Sequence, residues 1–121
     1  MAKFEKFEDI LAWQKARGLV GEVYRITADG KFTKDFGLRD QIRGASVSIM
    51  LNIAEGFARR TNKEFGQFLF VAHGSTAEVQ SALYIAMDQQ YISKESFDRL
   101  YSDCTEISGM ISGLIKYLRS P

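Results

Sequence analysis

Apolar residues recur along the chain at alternating steps of three and four, the spacing that gathers them on one face of an α-helix. Trp13, Ala16, Val20, Val23 and Thr27 form the first such stripe. A second begins at Leu38, Ile42, Ala45 and Ile49; its next steps fall on Asn52 and Gly56, while Ile53 and Phe57 beside them continue the apolar run, so the seam rotates there. Phe65, Leu69, Ala72, Thr76, Val79, Leu83 and Ala86 make a third, and Phe97, Leu100, Cys104, Ile107, Ile111, Leu114 and Leu118 a fourth. The spacing predicts helices over about 7–29, 37–58, 62–90 and 94–119.

The residues between the stripes agree with this division. Gly30 suits a left-handed cap at the end of the first helix. Thr61 followed by Glu64 is the signature of a capping box opening the third. Ser93 suits the cap of the fourth, with Ile92 and Phe97 spaced as a hydrophobic staple. Short connections between long helices imply antiparallel neighbours. The expected fold is all-α, an antiparallel up-down-up-down four-helix bundle occupying residues 1–121 as one domain.

Glycine departs from this regular pattern. Gly18, Gly21, Gly44, Gly56, Gly66, Gly74, Gly109 and Gly113 all lie inside predicted helices, where each costs about 1 kcal/mol relative to Ala. Close backbone approach would offset part of that cost. Folding the second helix onto the third about residue 60 sets Gly44, Ala45, Ser46 and Ser48 against Ala72, Gly74, Ser75 and Thr76, a seam of small residues. Scattered weak helix formers on the surface are the alternative. The third helix is also apolar beyond its core stripe. Phe68, Phe70 and Val71 join Phe65 and Leu69, more than one bundle can bury, so these three are expected at an interface between copies of the chain.

Composition narrows the setting. A single Pro in 121 residues leaves long helices uninterrupted. The longest apolar run, Gly44 to Ala54, is broken by Asn52 and is too short for a membrane span. The start, MAKFEKFED, is too acidic and too poor in apolar residues for a signal peptide. One cysteine forms no internal disulfide, which fits a reducing cytoplasm. The 16 basic and 15 acidic residues nearly balance, arguing against a general polyanion binder. The first 60 residues nevertheless carry a net charge of +3 and the rest −2, leaving room for a local basic patch.

Candidate chemistry is sparse. His73 is the only histidine, without a second ligand at helical spacing, so no metal or cofactor site is expected. Cys104 lies on the fourth core stripe, where it reads as a small hydrophobe. Asn52 and Glu55 are polar groups at an apolar seam. Folding the first two helices together about residue 33 brings them near Trp13 and Gln14, and a hydrogen-bonded lock of these four is expected. A pKa-shifted Glu55 acting as general acid or base is the catalytic alternative. The basic candidates are Arg39 and Arg43 on the second helix and Arg59, Arg60 and Lys63 at its end, with Arg17 and Arg25 on the first. Phosphate contact would use them, and so would simple compensation of a helix C-terminus.

Three segments carry a resemblance: FEDILAWQKA (Phe7 to Ala16), GLRDQIRGASVSIMLNIAEGFARR (Gly37 to Arg60) and KEFGQFLFVAHGSTAEV (Lys63 to Val79). Together they closely resemble the bacterial four-helix bundle proteins encoded in intervening sequences of 23S ribosomal RNA genes, and more distantly the accessory variability determinant of diversity-generating retroelements. The resemblance implies an up-down bundle, a ring-like homopentamer and no enzyme activity, with RNA or a ribonucleoprotein as partner through a basic surface. Met50 and Leu51 replace a Pro-Ser pair common in that family, implying a straighter second helix, and the near-neutral charge departs from a strongly basic relative. The expectation is a non-catalytic, cytoplasmic homo-oligomer accessory to RNA. The alternative is a protein-binding scaffold without nucleic-acid affinity.

Overall fold

A computed structural model describes residues 4–120; the first three residues of the N-terminal stretch and Pro121 lie outside it. Four helices, α1 (Leu11–Ile26), α2 (Phe36–Phe57), α3 (Asn62–Asp88) and α4 (Lys94–Arg119), follow one another through short connections. Each packs against its two neighbours, with α2–α3 the most extensive junction and α1–α4 closing the bundle. The chain is an all-helical four-helix bundle without strands among the described residues.

The helix starts follow from side-chain caps. The Thr61 hydroxyl accepts from the Glu64 N–H at 3.1 Å, and Ser93 accepts from Ser96 N–H at 3.1 Å. Each satisfies one of the donors that a helix start leaves open. Asp35 caps α2 by accepting from Leu38 N–H at 3.1 Å, while its other oxygen accepts from the Tyr91 hydroxyl at 2.9 Å. That second bond ties the α1–α2 connection to the α3–α4 connection.

The first helix is shorter than the expected 7–29. Phe7–Asp9 forms a separate 3-10 turn, in which the Asp9 carboxylate accepts from the Glu5 and Lys6 backbone N–H groups, and Ile10 is extended. The local bonds to Asp9 compete with continuation into α1. At the other end Thr27 donates its hydroxyl to the Val23 carbonyl at 2.7 Å and closes the helix four residues before Gly30. Gly30 does adopt a left-handed φ of 59°, but it lies in the connection and does not cap α1.

The α3 stripe is buried at every expected position, from Phe65 to Ala86. Along the first stripe Ala16, Val23 and Thr27 are buried as expected, while Ala12 and Leu19 take the core places of Trp13 and Val20, which are half-buried. In α4 Ile115 replaces Leu114 in the core. The buried polar residues are matched: Ser46 donates to the Arg43 carbonyl, Thr76 to that of His73, and Ser75 to the Ser48 hydroxyl across the α2–α3 seam at 2.9 Å. Of the expected small-residue seam, Ser48 and Ser75 meet across the junction, while Gly44 and Gly74 are exposed.

Glycine is the main correction to the packing expectation. A Cβ added at Gly44 or Gly74 would meet nothing within 4 Å, and the same holds for five further helical glycines. Gly56 alone is a close approach: its Cβ would lie 2.8 Å from Phe68 Cβ, 2.9 Å from the Phe65 ring and 3.1 Å from the Phe65 carbonyl. This contact sets how tightly the last turn of α2 folds onto the first turns of α3. Gly56→Ala is expected to lower unfolding free energy by about 1–3 kcal/mol through overpacking, whereas Gly18→Ala should raise it by about 0.4–1 kcal/mol. Urea denaturation of both variants checks the contrast.

Candidate nucleic-acid interface

The expected basic residues fall into two groups at opposite ends of the bundle. Arg39 and Arg59 lie 20 positions apart on or beside one helix, a rise of roughly 30 Å. One subunit does not bring them together. At the α2 start, Arg39 donates to the Thr33 carbonyl at 3.1 Å, pairs with Asp40 and covers the Phe36 ring at 4.8 Å. Arg43 donates to the Thr27 hydroxyl at 2.7 Å and lies 4.6 Å over Tyr24. Arg43 thus joins α2 to the α1 end and Arg39 ties the α2 start to the preceding connection, structural engagements that account for their positions.

At the other end Arg59 pairs with Glu55 one helical turn earlier, at 2.7 Å, and lies 4.7 Å over Phe68. Arg60 and Lys63 are exposed, with no carboxylate of the described residues within 4 Å. The up-down topology brings the last turns of α4 to this same end. Lys116 and Arg119 stand there, likewise without a carboxylate partner among the described residues, and Arg119 lies 5.2 Å over Phe70. These two cations were not among the sequence candidates. Their signal was legible: a Lys and an Arg three positions apart in the last turn of the fourth helix, which the bundle topology places beside residues 59–63.

Carboxylates share this end: Glu5 and Glu8 are exposed, and three others are engaged locally. Glu55 holds Arg59, Glu64 accepts from the Thr61 hydroxyl at 3.2 Å, and Asp9 caps its own turn. Between α3 and α4 runs a groove lined by Lys63, Gln67, Phe70, Ile115, Leu118 and Arg119, with a hollow of about 380 Å³. An adjoining hollow of about 280 Å³ extends it past Lys116 and Ser112 to His73.

The expected polar lock does not form. Asn52 donates to the Ser48 carbonyl at 2.9 Å and to the Ser48 hydroxyl at 3.0 Å, both on its own helix. Gln14 donates to the Glu8 carbonyl at 2.8 Å, and Trp13 packs edge-on against Phe7 with ring centres 5.1 Å apart. Glu55 faces solvent. Ala12 takes the core position while Trp13 packs on the N-terminal turn, and no hydrogen bond joins these four residues. Glu55 is exposed and paired with Arg59.

The interface candidates on α3 divide. Phe70 and Val71 are about half exposed, at 50% and 53%, and Phe68 is half-buried under Arg59. Farther along the same outward face stand Tyr84 and Ile85, also about half exposed. Gly74, Ala77 and Ser81 lie between, so the face is apolar at both ends and small in the middle.

His73 Nε2 lies 2.9 Å from Ser108 Oγ on α4. No carboxylate is given to orient the imidazole, and no cluster of three potential metal ligands occurs among the described residues. Cys104 is fully buried on the core stripe, and that burial, with the Asp103 charge adding to it, pushes its thiol up to about 12. A nucleophilic thiolate needs the opposite environment.

A bundle of four antiparallel helices, with a cluster of cations at one end and an outward apolar helix face, belongs to the class of small all-helical bundle folds. Within that class the chain is a member of the 23S rRNA-intervening sequence protein family, whose sequence model matches residues 8–113. A crystal structure of a protein with unknown function from the S23 ribosomal protein family of Bacteroides thetaiotaomicron superposes with a TM-score of 0.79. At 23% identity over 87% of this chain and 98% of that one, it shows the fold. No curated protein matches the sequence. No helix of the described residues is long and apolar enough to cross a membrane.

The thiol supplies a test of the core. Because its folded pKa lies above the ordinary 9.0, its contribution to stability is fully present below pH 9 and is lost as pH rises toward 12. The native protein at pH 8 is expected to react with a thiol reagent only at its rate of opening. Urea-unfolded protein should react at once.

Proposed function

We propose that this chain is a non-catalytic, homo-oligomeric bundle that binds RNA through the end of the bundle where α2 passes into α3 and α4 finishes. The observation that carries the reading is the set Arg60, Lys63, Lys116 and Arg119. In a chain of nearly balanced charge, these four gather at one end without carboxylate partners among the described residues. Phosphates repeat at short intervals along a strand, and several cations presented together neutralise several of them. Arg39 and Arg43 are engaged in holding α1 to α2 and are assigned a structural role.

The absence of catalysis is inferred from the same site. Its cations and apolar floor can bind and orient, but Glu55 is solvent-facing and the His73–Ser108 pair has no orienting acid. Self-association is supported by the α3 outward face, where Val71, Tyr84 and Ile85 are about half exposed. A ring of five copies would multiply the basic ends, which suits a partner as long as RNA. The same apolar face is the specific observation behind a second reading, a cytoplasmic protein-binding scaffold without nucleic-acid affinity.

Fluorescence anisotropy with labelled RNA over a salt series separates the two. Affinity is expected to fall with a log–log slope of about 0.7 per phosphate neutralised. Reversing Arg60 and Lys63 to Glu should weaken binding and lower that slope by roughly one per cation. No binding near physiological salt would leave only the scaffold reading.

A further inference from the structure

The α3–α4 groove permits a more specific statement about the ligand, one that rests on the RNA reading above. Its floor is apolar: Phe70 is half exposed, and Ile115 and Leu118 are 8% exposed. Its two lips are basic, with Lys63 on α3 facing Lys116 and Arg119 on α4. The side-chain amides of Asn62 and Gln67 add donors and acceptors, and no carboxylate lines either hollow.

Helix-dipole compensation explains cations in the last turn of α4. It does not explain Lys63, which stands in the first turn of α3 where a positive charge opposes the dipole. Nor does solubility account for an aromatic ring left half exposed between cations. The open width of the groove follows in part from Gly66, around whose missing Cβ there is nothing within 4 Å.

A double helix presents phosphates and would leave the floor empty. An unpaired nucleotide offers a flat apolar face to Phe70, hydrogen-bonding edges to the amides, and a phosphate on either side for the lips. The guanidinium of Arg119, 5.2 Å from the Phe70 ring centre, provides a second flat group at the same place. We propose that the groove binds the unpaired nucleotides of single-stranded RNA, with a base against Phe70 and the backbone between Lys63 and the Lys116–Arg119 pair.

Gly66→Leu tests this without weakening the fold, since it fills the groove from α3 while replacing a helical glycine that has open space around it. Anisotropy is measured with a short unstructured oligoribonucleotide and with an RNA duplex of equal length. The wild type should favour the single strand by about tenfold or more. Gly66→Leu should melt at a higher temperature, lose about tenfold in single-strand affinity and keep its duplex affinity. Lys116→Ala with Arg119→Ala should weaken both and flatten the salt dependence.

Equal affinity for the two RNAs, or a folded Gly66→Leu with unchanged single-strand affinity, overturns the groove assignment and leaves RNA binding standing. Binding of neither RNA removes both. An acidic copolymer of glutamate and tyrosine serves as competitor. If it binds the wild type but not Gly66→Leu, while RNA binds both alike, the groove takes acidic peptide and the proposal fails.

Discussion

Helix α3 is the constraint on which the other elements depend. Its inner stripe from Phe65 to Ala86 supplies the centre of the core and forms the extensive junctions with both α2 and α4. The hairpin with α2 is fixed by Gly56 lying directly on Phe65 and Phe68, a position where any side chain would push the helices apart. Because α3 is held on both sides, its remaining apolar residues have nowhere to go within the subunit. Val71 and Ile85 therefore face outward, while Phe68 lies under Arg59, Phe70 under Arg119, and Tyr84 against Phe97 and Tyr101.

The tight α2–α3 hairpin also decides which charges meet. It puts Arg60 and Lys63 at the end where α4 finishes, and there Lys63 lines an apolar groove with Lys116 and Arg119. The other arginines of α2 are sent to the far end, where they serve as braces: Arg43 to Thr27 and Tyr24, Arg39 to the Thr33 carbonyl. Ion pairs across α1–α4, such as Arg99 with Glu22 and Lys15 with Glu106, are partly exposed and add little stability. They orient the helix that closes the bundle, while burial of the four stripes holds it.

The bundle was legible because long amphipathic runs with caps determine helix type and order with little help from tertiary context. Thr61 and Ser93 cap as their positions imply, and α3 and α4 begin where the capping residues put them. What escaped was decided by competition between local bonds. Asp9 folds the N-terminal segment into a separate turn, Trp13 and Gln14 make their contacts with that turn, and Asn52 bonds to Ser48 on its own helix, so the expected lock gives way to local contacts. The glycines misled for a different reason: spacing shows which residues share a face, but not whether another backbone approaches that face. Of nine helical glycines, Gly56 alone is pressed by a neighbour. Half of the candidate site was readable from the arginines at the α2 end. The half contributed by α4 needed the topology to be combined with the basic last turn of the fourth helix.

The central claim is that α3 carries more apolar surface than its own subunit can cover, so that the bundle is complete only as an assembly. Static light scattering on the eluting peak of a size-exclusion column tests it most directly. A mass near five times the 13.7 kDa of one chain is the expected result. A mass of 13.7 kDa at micromolar concentration would contradict it.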